Sequence, residues 1–443
     1  MQLRGKSFLL ATTAVFALGT AAPAVADGDA LADLQRQILL LQSQIDELKA
    51  GGNNDCCDNK IKFKAFPEIS NGDWSAKVRG RLMLDWATVD GDAAVLPGED
   101  DYIENAIEAR RARLGVEGKM PMNTAYKFEV SYDPAGESIE VEDAYLQWKT
   151  PAGKLTAGQQ KIPVSLEEQT SSRHTTFMER AAFTDAFGYQ RAVGLSINPN
   201  GDNWSVKAGV YGENLTEEYV NEGYTLAARG TFAPINEDGR VIHLGASVAH
   251  SDIEESSGEF RARQRPQVHQ EQRYIDTWDI AADSVLNYGA ELAGVFGPFS
   301  AQAEYAKLEL DTPTGTDPEF EGYYIDLSWF LTGESRRYKG SSGKFDRVTP
   351  NAMVGDGGFG AWQIALRYDV VDLTDFDPIL ATPGSGGEQE SIIAGVNWHL
   401  NKYVKLMANY AHTEIEDSDR NFDITGQTDN EIDSFQLRAQ VDW

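Results

Sequence analysis

Cysteine is nearly absent from this chain: two of 443 residues, the adjacent pair Cys56 and Cys57. That excludes a disulfide-stapled scaffold and a thiolate metal centre. In an oxidising compartment the pair is able to close on itself in a strained ring or to join neighbouring chains, and the sequence leaves both open. Histidine is scarce as well. His174, His243, His250, His269, His399 and His412 stand alone without metal-ligand spacing, so no metal and no cofactor is expected. Long apolar runs are missing: no stretch approaches the roughly 18 residues that a membrane-spanning helix needs. Any passage through a bilayer therefore falls to strands. Basic residues are few, 39 Lys and Arg against 69 Asp and Glu, for a formal charge of −30. That balance disfavours nucleic acid as a partner.

What is present begins with an export signal. Arg4 and Lys6 precede an apolar run, Phe8 to Leu18, and the chain then reaches Ala24-Val25-Ala26. This order marks residues 1–26 as a cleavable secretory signal. Its removal leaves 37 basic against 69 acidic residues, a charge of −32. Residues 27–50 carry a heptad, with Leu31, Ile38 and Ile45 at a and Leu34, Leu41 and Leu48 at d. The spacing predicts a short coiled-coil helix, or a single amphipathic helix if it finds no partner. Gly51-Gly52-Asn53-Asn54 ends it and opens a linker over 51–73.

From residue 74 to the end, the pattern alternates with period two. Val78, Gly80, Leu82, Leu84 and Trp86 share one face, while Lys77, Arg79, Arg81 and Asp85 share the other. The same alternation recurs through Tyr126–Tyr132, Trp204–Val210, Tyr288–Leu292, Tyr323–Trp329, Trp362–Tyr368, Ile392–Leu400 and Phe435–Trp443. A soluble sandwich shows such alternation too. Here, however, the strands run long, aromatics gather at their ends, and short turns alternate with long loops at 89–103, 161–191, 252–284, 372–388 and 416–430. That combination predicts an all-β fold, a 16-stranded antiparallel transmembrane β-barrel over 74–443. One connection breaks the rule, since Thr332 to Gly358 is long yet falls on the short-turn side.

Gly158 to Arg191 is the stretch that best suits the inside of such a barrel. It mixes apolar anchors (Ile162, Val164, Leu166, Phe177, Met178, Phe183, Phe187) with ionisable groups (Lys161, Arg173, His174, Glu179, Arg180, Arg191). It is far longer than a hairpin connection, and we read it as an inward-folded constriction loop. Arginines gather in three places. Arg79 and Arg81 face inward on the first strand, Arg110, Arg111 and Arg113 open the second, and Arg261, Arg263 and Arg265 alternate within the loop 252–284. Guanidinium forks match phosphate and carboxylate oxygens, and a row of them in a narrow passage favours anions. The other reading of a pore-wall arginine is a partner for a wall carboxylate. Outer-loop acids such as Asp100, Asp101, Glu217 and Glu218 read as solvated charge, with divalent bridging to lipopolysaccharide as the other reading. A Ser-His enzyme is disfavoured. Ser171, Ser172 and His174 are neighbours in sequence, which does not make a nucleophile and its base.

Several segments together resemble the phosphate-selective porin O/P family. They are Arg79-Gly80-Arg81-Leu82, Arg110-Arg111-Ala112, Thr170-Ser171-Ser172-Arg173 through Met178-Glu179-Arg180, and Val241-Ile242-His243-Leu244-Gly245. Phe299 to Tyr305, Leu331-Thr332-Gly333-Glu334 through Tyr338-Lys339, and Gly395-Val396-Asn397-Trp398 add to the match. The resemblance implies a homotrimeric porin in the outer membrane, among its lipids and lipopolysaccharide, passing phosphate or other small anions. It implies that Arg261, Arg263 and Arg265 form an arginine ladder and that Arg81, Arg110 and Arg111 line the constriction. Arg173 stands where characterised members carry a lysine. Glu388 and Glu390 stand where members place lysines before the Gly-Val-Asn-Trp strand, which implies a weaker preference for phosphate. A general-diffusion or weakly cation-leaning pore with a structural role is the alternative expectation.

Overall fold

The computed structural model describes residues 60–63, 66–99, 102–133, 138–215, 223–254, 258–375 and 386–443, together with helical positions 36, 39, 40, 42 and 43. The export signal, most of the heptad, and Cys56 and Cys57 lie outside the described residues. Contacts divide the chain into Met1–Asp58 and Asn59–Trp443.

The second unit is a closed antiparallel barrel of sixteen strands. In chain order these are β1 (Trp74–Gly91), β2 (Ala106–Met120), β3 (Thr124–Asp133), β4 (Ser138–Thr150), β5 (Gly153–Lys161), β6 (Arg191–Asn198), β7 (Trp204–Tyr211) and β8 (Tyr224–Glu237). The rest are β9 (Arg240–Asp252), β10 (Ser284–Phe296), β11 (Phe299–Asp311), β12 (Glu319–Phe330), β13 (Ala361–Asp372), β14 (Gly386–His399), β15 (Val404–Ser418) and β16 (Asn430–Asp442). Each pairs with its neighbour, and β16 closes on β1 from Ile432↔Gly91 to Asp442↔Arg81. Closure leaves no open sheet edge, which is what a strand-built span in lipid requires. Within the stretch 51–73, two short strands, Lys60–Phe63 and Pro67–Asn71, form a hairpin that extends the sheet beside β1.

The faces divide as the period-two pattern predicts. On β16, Ser434, Gln436 and Arg438 are 2% exposed, while Phe435 and Leu437 are 41% and 42% exposed. The polar face is the covered one because the lumen is filled, and the apolar face meets lipid. Trp443 folds back over Gly80, where a Cβ would lie 2.3 Å from the indole ring, and stacks on Phe66 at 4.5 Å.

Three segments fill the lumen, where the sequence pointed to one. The expected loop, 162–190, forms the short helices α1 (Leu166–Gln169) and α2 (Ala182–Ala186) and buries Phe177 and Phe183 almost completely. The loop 253–283 also turns inward. Its Val268, Tyr274 and Ile275 pack with Ala87 and Val89 of the inner wall, anchors that the arginine pattern drew attention away from. The long connection 331–360 is the third, which accounts for its length on the short-turn side. Its strands Arg337–Lys339 and Lys344–Asp346 form a hairpin, with Tyr338 Oη 2.6 Å from His243 Nδ1 and Phe345 buried against Leu166 and Val241. Gly343, at φ 57°, lies so close to Thr231 that a Cβ would sit 2.3 Å from its hydroxyl, so this tip accepts glycine only.

Candidate functional site

Two β-bulges set the charges of the passage. Between the pairs Met83↔Arg111 and Asp85↔Glu108, β2 spends two residues, Ala109 and Arg110, opposite Leu84 alone. Consecutive residues Arg110 and Arg111 therefore both reach the lumen, which strict alternation forbids. Between Glu129↔Asp143 and Val130↔Val141, β4 inserts Glu142 in the same way. Glu142 and Asp143 then both face inward, where Arg191 bonds the first at 2.5 Å and the second at 3.1 Å. Arg113 and Lys127 complete this acid–base group.

The barrel wall holds the constriction loop by its backbone. Glu304 accepts from the N–H groups of Leu166 and Glu167 at 2.7 and 2.8 Å, and Asp369 from Ala182 at 2.9 Å. Asn397 donates to the Thr176 carbonyl at 2.8 Å, Lys405 to that of Thr175 at 3.0 Å, and Gln440 to that of Arg173 at 3.1 Å. Glu167 reaches Arg367 at 2.6 Å, and Arg367 also grips Asp326. Groups ordered from so many directions leave the loop little freedom, so the lumen's narrowest level has a fixed shape.

All seven sequence-selected arginines lie in the lumen or at its mouth, but their partners differ. Arg81 is buried between Glu129 (3.0 Å) and the Ser172 hydroxyl (2.7 Å). Arg110 is bidentate to Glu179. Burial would raise that carboxyl, yet Arg110 and Arg438 hold it well below the usual range. Arg111 donates to Met83 Sδ at 3.9 Å, and no carboxylate among the described residues forms an ion pair with it. Arg173 meets Asp442 at 3.5 Å and the Ser171 hydroxyl at 3.2 Å.

In the second inward loop, Ala262 and Gln264 are buried, so Arg261, Arg263 and Arg265 share the opposite face. Arg261 is neutralised by Asp276 (2.7 and 2.6 Å) and lies over Trp278. Arg263 is exposed and has no ion pair among the described residues. Arg265 donates to the Glu271 carbonyl at 2.8 Å, and burial lowers its pKa despite Asp185. Arg110 is within its electrostatic reach, so the row on the loop leads toward the constriction. A fourth arginine joins it. Burial, with Arg265 alongside, brings Arg273 down to about 10.

Glu388 and Glu390 are not in the passage. They share the face of Ile392 and Val396, which are exposed, while Gln389 and Ser391 point inward. Glu390 hydrogen-bonds Tyr368 on that outer face. The expectation that they weaken anion binding is therefore corrected, because parity along β14 turns them away from the lumen. The Ser-His arrangement also finds no support in geometry. The Ser171 and Ser172 hydroxyls are engaged by Arg173 and Arg81, and His174 Nδ1 faces Asp346 at 3.5 Å.

Beyond the loop, toward the short-turn side, lies a chamber of about 490 Å³. Eight arginines and six lysines line it against three carboxylates, Glu117, Asp143 and Asp346. Sequence reasoning passed over Lys127, Lys207 and Lys344, which come from three separate segments, whereas Lys161 was among the ionisable groups of the constriction loop. Lys344 comes from the infolded hairpin, and burial beside Lys127 and Lys339 brings its pKa down to about 8.

The family model "Phosphate-selective porin O and P" matches residues 77–443. The chain belongs to that family. It is an outer-membrane porin, a channel by family and fold. It is 29% identical to Porin O of Pseudomonas aeruginosa over 426 residues, covering 87% of this chain and 93% of that protein. A protein of Caulobacter vibrioides is 31% identical over 363 residues, covering 79% of this chain and 71% of its own. Among solved structures, an anion-selective porin from Comamonas acidovorans aligns with a TM-score of 0.51 at 12% identity, covering 84% of this porin and all of that chain. The trimer form of OmpT from Vibrio cholerae aligns at 0.52 with 14% identity, covering 84% of this porin and 99% of that chain. These two alignments concern the barrel fold.

Proposed function

We propose that this porin gives passive, anion-preferring passage to phosphate or a related oxyanion. The observation that carries the reading is the chamber: of its fourteen cationic lining side chains, Arg111, Lys154, Lys207, Lys339 and Lys344 have no ion pair among the described residues, inside a protein of net charge −30. An anion crossing a narrow site loses part of its hydration, and fixed guanidinium and ammonium groups replace it. Arg263, Arg265 and Arg273 lead inward at the mouth, Arg111 and Arg173 follow at the constriction, and the chamber lies beyond them. Arg81, Arg110 and Arg261 are neutralised locally and serve the path mainly by shaping it. The family and the Comamonas porin's described selectivity support the same reading. A homotrimer is part of the proposal, supported by the trimeric form of OmpT.

The test is chloride conductance in a planar bilayer as phosphate, pyrophosphate and sulfate are titrated in. Block by at least one of them, with anions favoured in a salt gradient, is the expected result. No block together with a cation-favouring reversal potential identifies a general-diffusion pore and sinks the reading.

A further inference from the structure

A second, much smaller cavity lies beside the chamber, separated from it by Arg173, His174 and Asp346. Its free volume is about 20 Å³. Five cationic side chains line it: Arg173 of the constriction loop, Arg336 and Arg347 of the infolded connection, and Lys402 and Lys405 near the start of β15. Only two carboxylates, Asp346 and Asp442, are present to meet them. Asp442 is already shared by Arg173 and Arg347.

Lys405 is the most exacting of these groups. It is 3% exposed, and its ammonium has three donors but a single acceptor, the Thr175 carbonyl. No carboxylate among the described residues pairs with it; Asp442 acts on it from a distance, against the positive charge of Arg438, Arg336 and Arg347. A buried ammonium in that position needs an anion or an acceptor-rich neighbour. Two imidazoles also line the cavity, and the Nε2 atoms of His174 and His399 are both buried without a hydrogen-bond partner. Burial and Arg173 keep the His174 ring neutral. With Nδ1 facing Asp346 at 3.5 Å, its single proton belongs on Nδ1, so the imidazole able to donate from Nε2 here is His399.

We infer that this cavity holds one monatomic halide, chloride in the native membrane, bound between Lys405 and the Nε2–H group of His399. The space exceeds the roughly 10–15 Å³ that a single water needs but does not accommodate a tetrahedral oxyanion with its four oxygens. The ion offsets part of the positive charge collected there. It also rivets the constriction loop, through Arg173, to the infolded connection, through Arg336. It lies off the conducting chamber, so the inference stands apart from which solute the pore carries.

Crystals of the full trimer grown with bromide in place of chloride test it directly. An anomalous peak is expected in the cavity next to Lys405 Nζ. Thermal unfolding is expected to rise by roughly 3–6 °C as chloride replaces gluconate at constant ionic strength. K405M is expected to lose both effects. Because Lys405 also holds Thr175, H399F serves as a second variant, filling the cavity while sparing that contact, and it too is expected to lose the peak. Wild-type crystals showing only water in the cavity overturn the inference, as does a chloride-dependent shift that persists undiminished in H399F.

Discussion

Arg110 grips Glu179 with both arms of its guanidinium, Nε to Oε1 at 3.0 Å and Nη2 to Oε2 at 2.8 Å. Arg438 of β16 meets the same carboxylate and itself holds Asp85 of β1 at 2.7 Å. One loop carboxylate thus ties β2 to β16, the two strands that flank β1 on one wall of the barrel. Its neighbour Arg111, one residue along, has no such partner. Adjacent arginines that look equivalent in sequence do different work.

Replacing them one at a time separates the two roles. R110A strands Glu179 beside one arginine instead of two and frees the loop's centre. Single-channel conductance is expected to rise and become noisier, with stability falling toward the lower end of the roughly 3–5 kcal/mol typical of a broken buried pair. R111A is expected to leave pore size and stability nearly unchanged while moving the reversal potential toward cations. Identical electrical phenotypes for the two variants argue against this division.

The row at the mouth divides in the same way. R261A removes a charge that Asp276 already cancels, so its effect on ion preference is expected to be small. R263A and R265A each remove a cation with no ion pair among the described residues, and R273A one that meets Asp185 at 3.9 Å. Each is expected to reduce anion preference in a salt-gradient measurement, and the three together to do so more than R261A by a clear margin. A dominant effect of R261A is the contrary result.

Lys344 gives the chamber a pH dependence. Its folded pKa lies below the ordinary lysine value, at about 8, so it is charged below that pH and neutral above. Sulfate block of the chloride current is expected to weaken between about pH 7 and about pH 9, a range in which sulfate itself does not titrate. K344Q is expected to flatten that dependence. An unchanged profile in K344Q assigns the titration elsewhere.

The barrel strands begin beyond the heptad region, and closure runs from β16 to β1 without it. Deleting residues 27–59 is expected to leave a folded barrel, seen as heat-modifiable migration on a gel and unaltered conductance. Loss of the folded form shows that the N-terminal segment contributes to barrel assembly.

The barrel was legible because its information is local. Period two and the placement of turns name sixteen strands without any knowledge of what pairs with what. The arginines were legible as a set for the same reason, since each group is contiguous. Their partners were not. Glu179, Asp276 and Glu129 lie 69, 15 and 48 residues from the arginines they neutralise, and only the folded loops bring them together. The chamber lysines were missed because Lys127, Lys207 and Lys344 come singly, from three segments. Inward parity on a strand was the one signal available for the first two. Glu388 and Glu390 were misread for want of that parity check, which Ile392 and Val396 supply.

The bulge in β2 has a bearing on where the pore's field is strongest. In a regular strand, side chains on one face recur about every 7 Å along the axis. The extra residue places Arg110 and Arg111 at one depth instead. One fastens the loop that narrows the lumen, and the other presents its charge at that same level. Low-dielectric walls concentrate field lines where they approach most closely. In the proposed anion path, the guanidinium without a carboxylate partner therefore stands at the waist of the channel. There the potential met by a crossing anion changes as a step, not as a ramp.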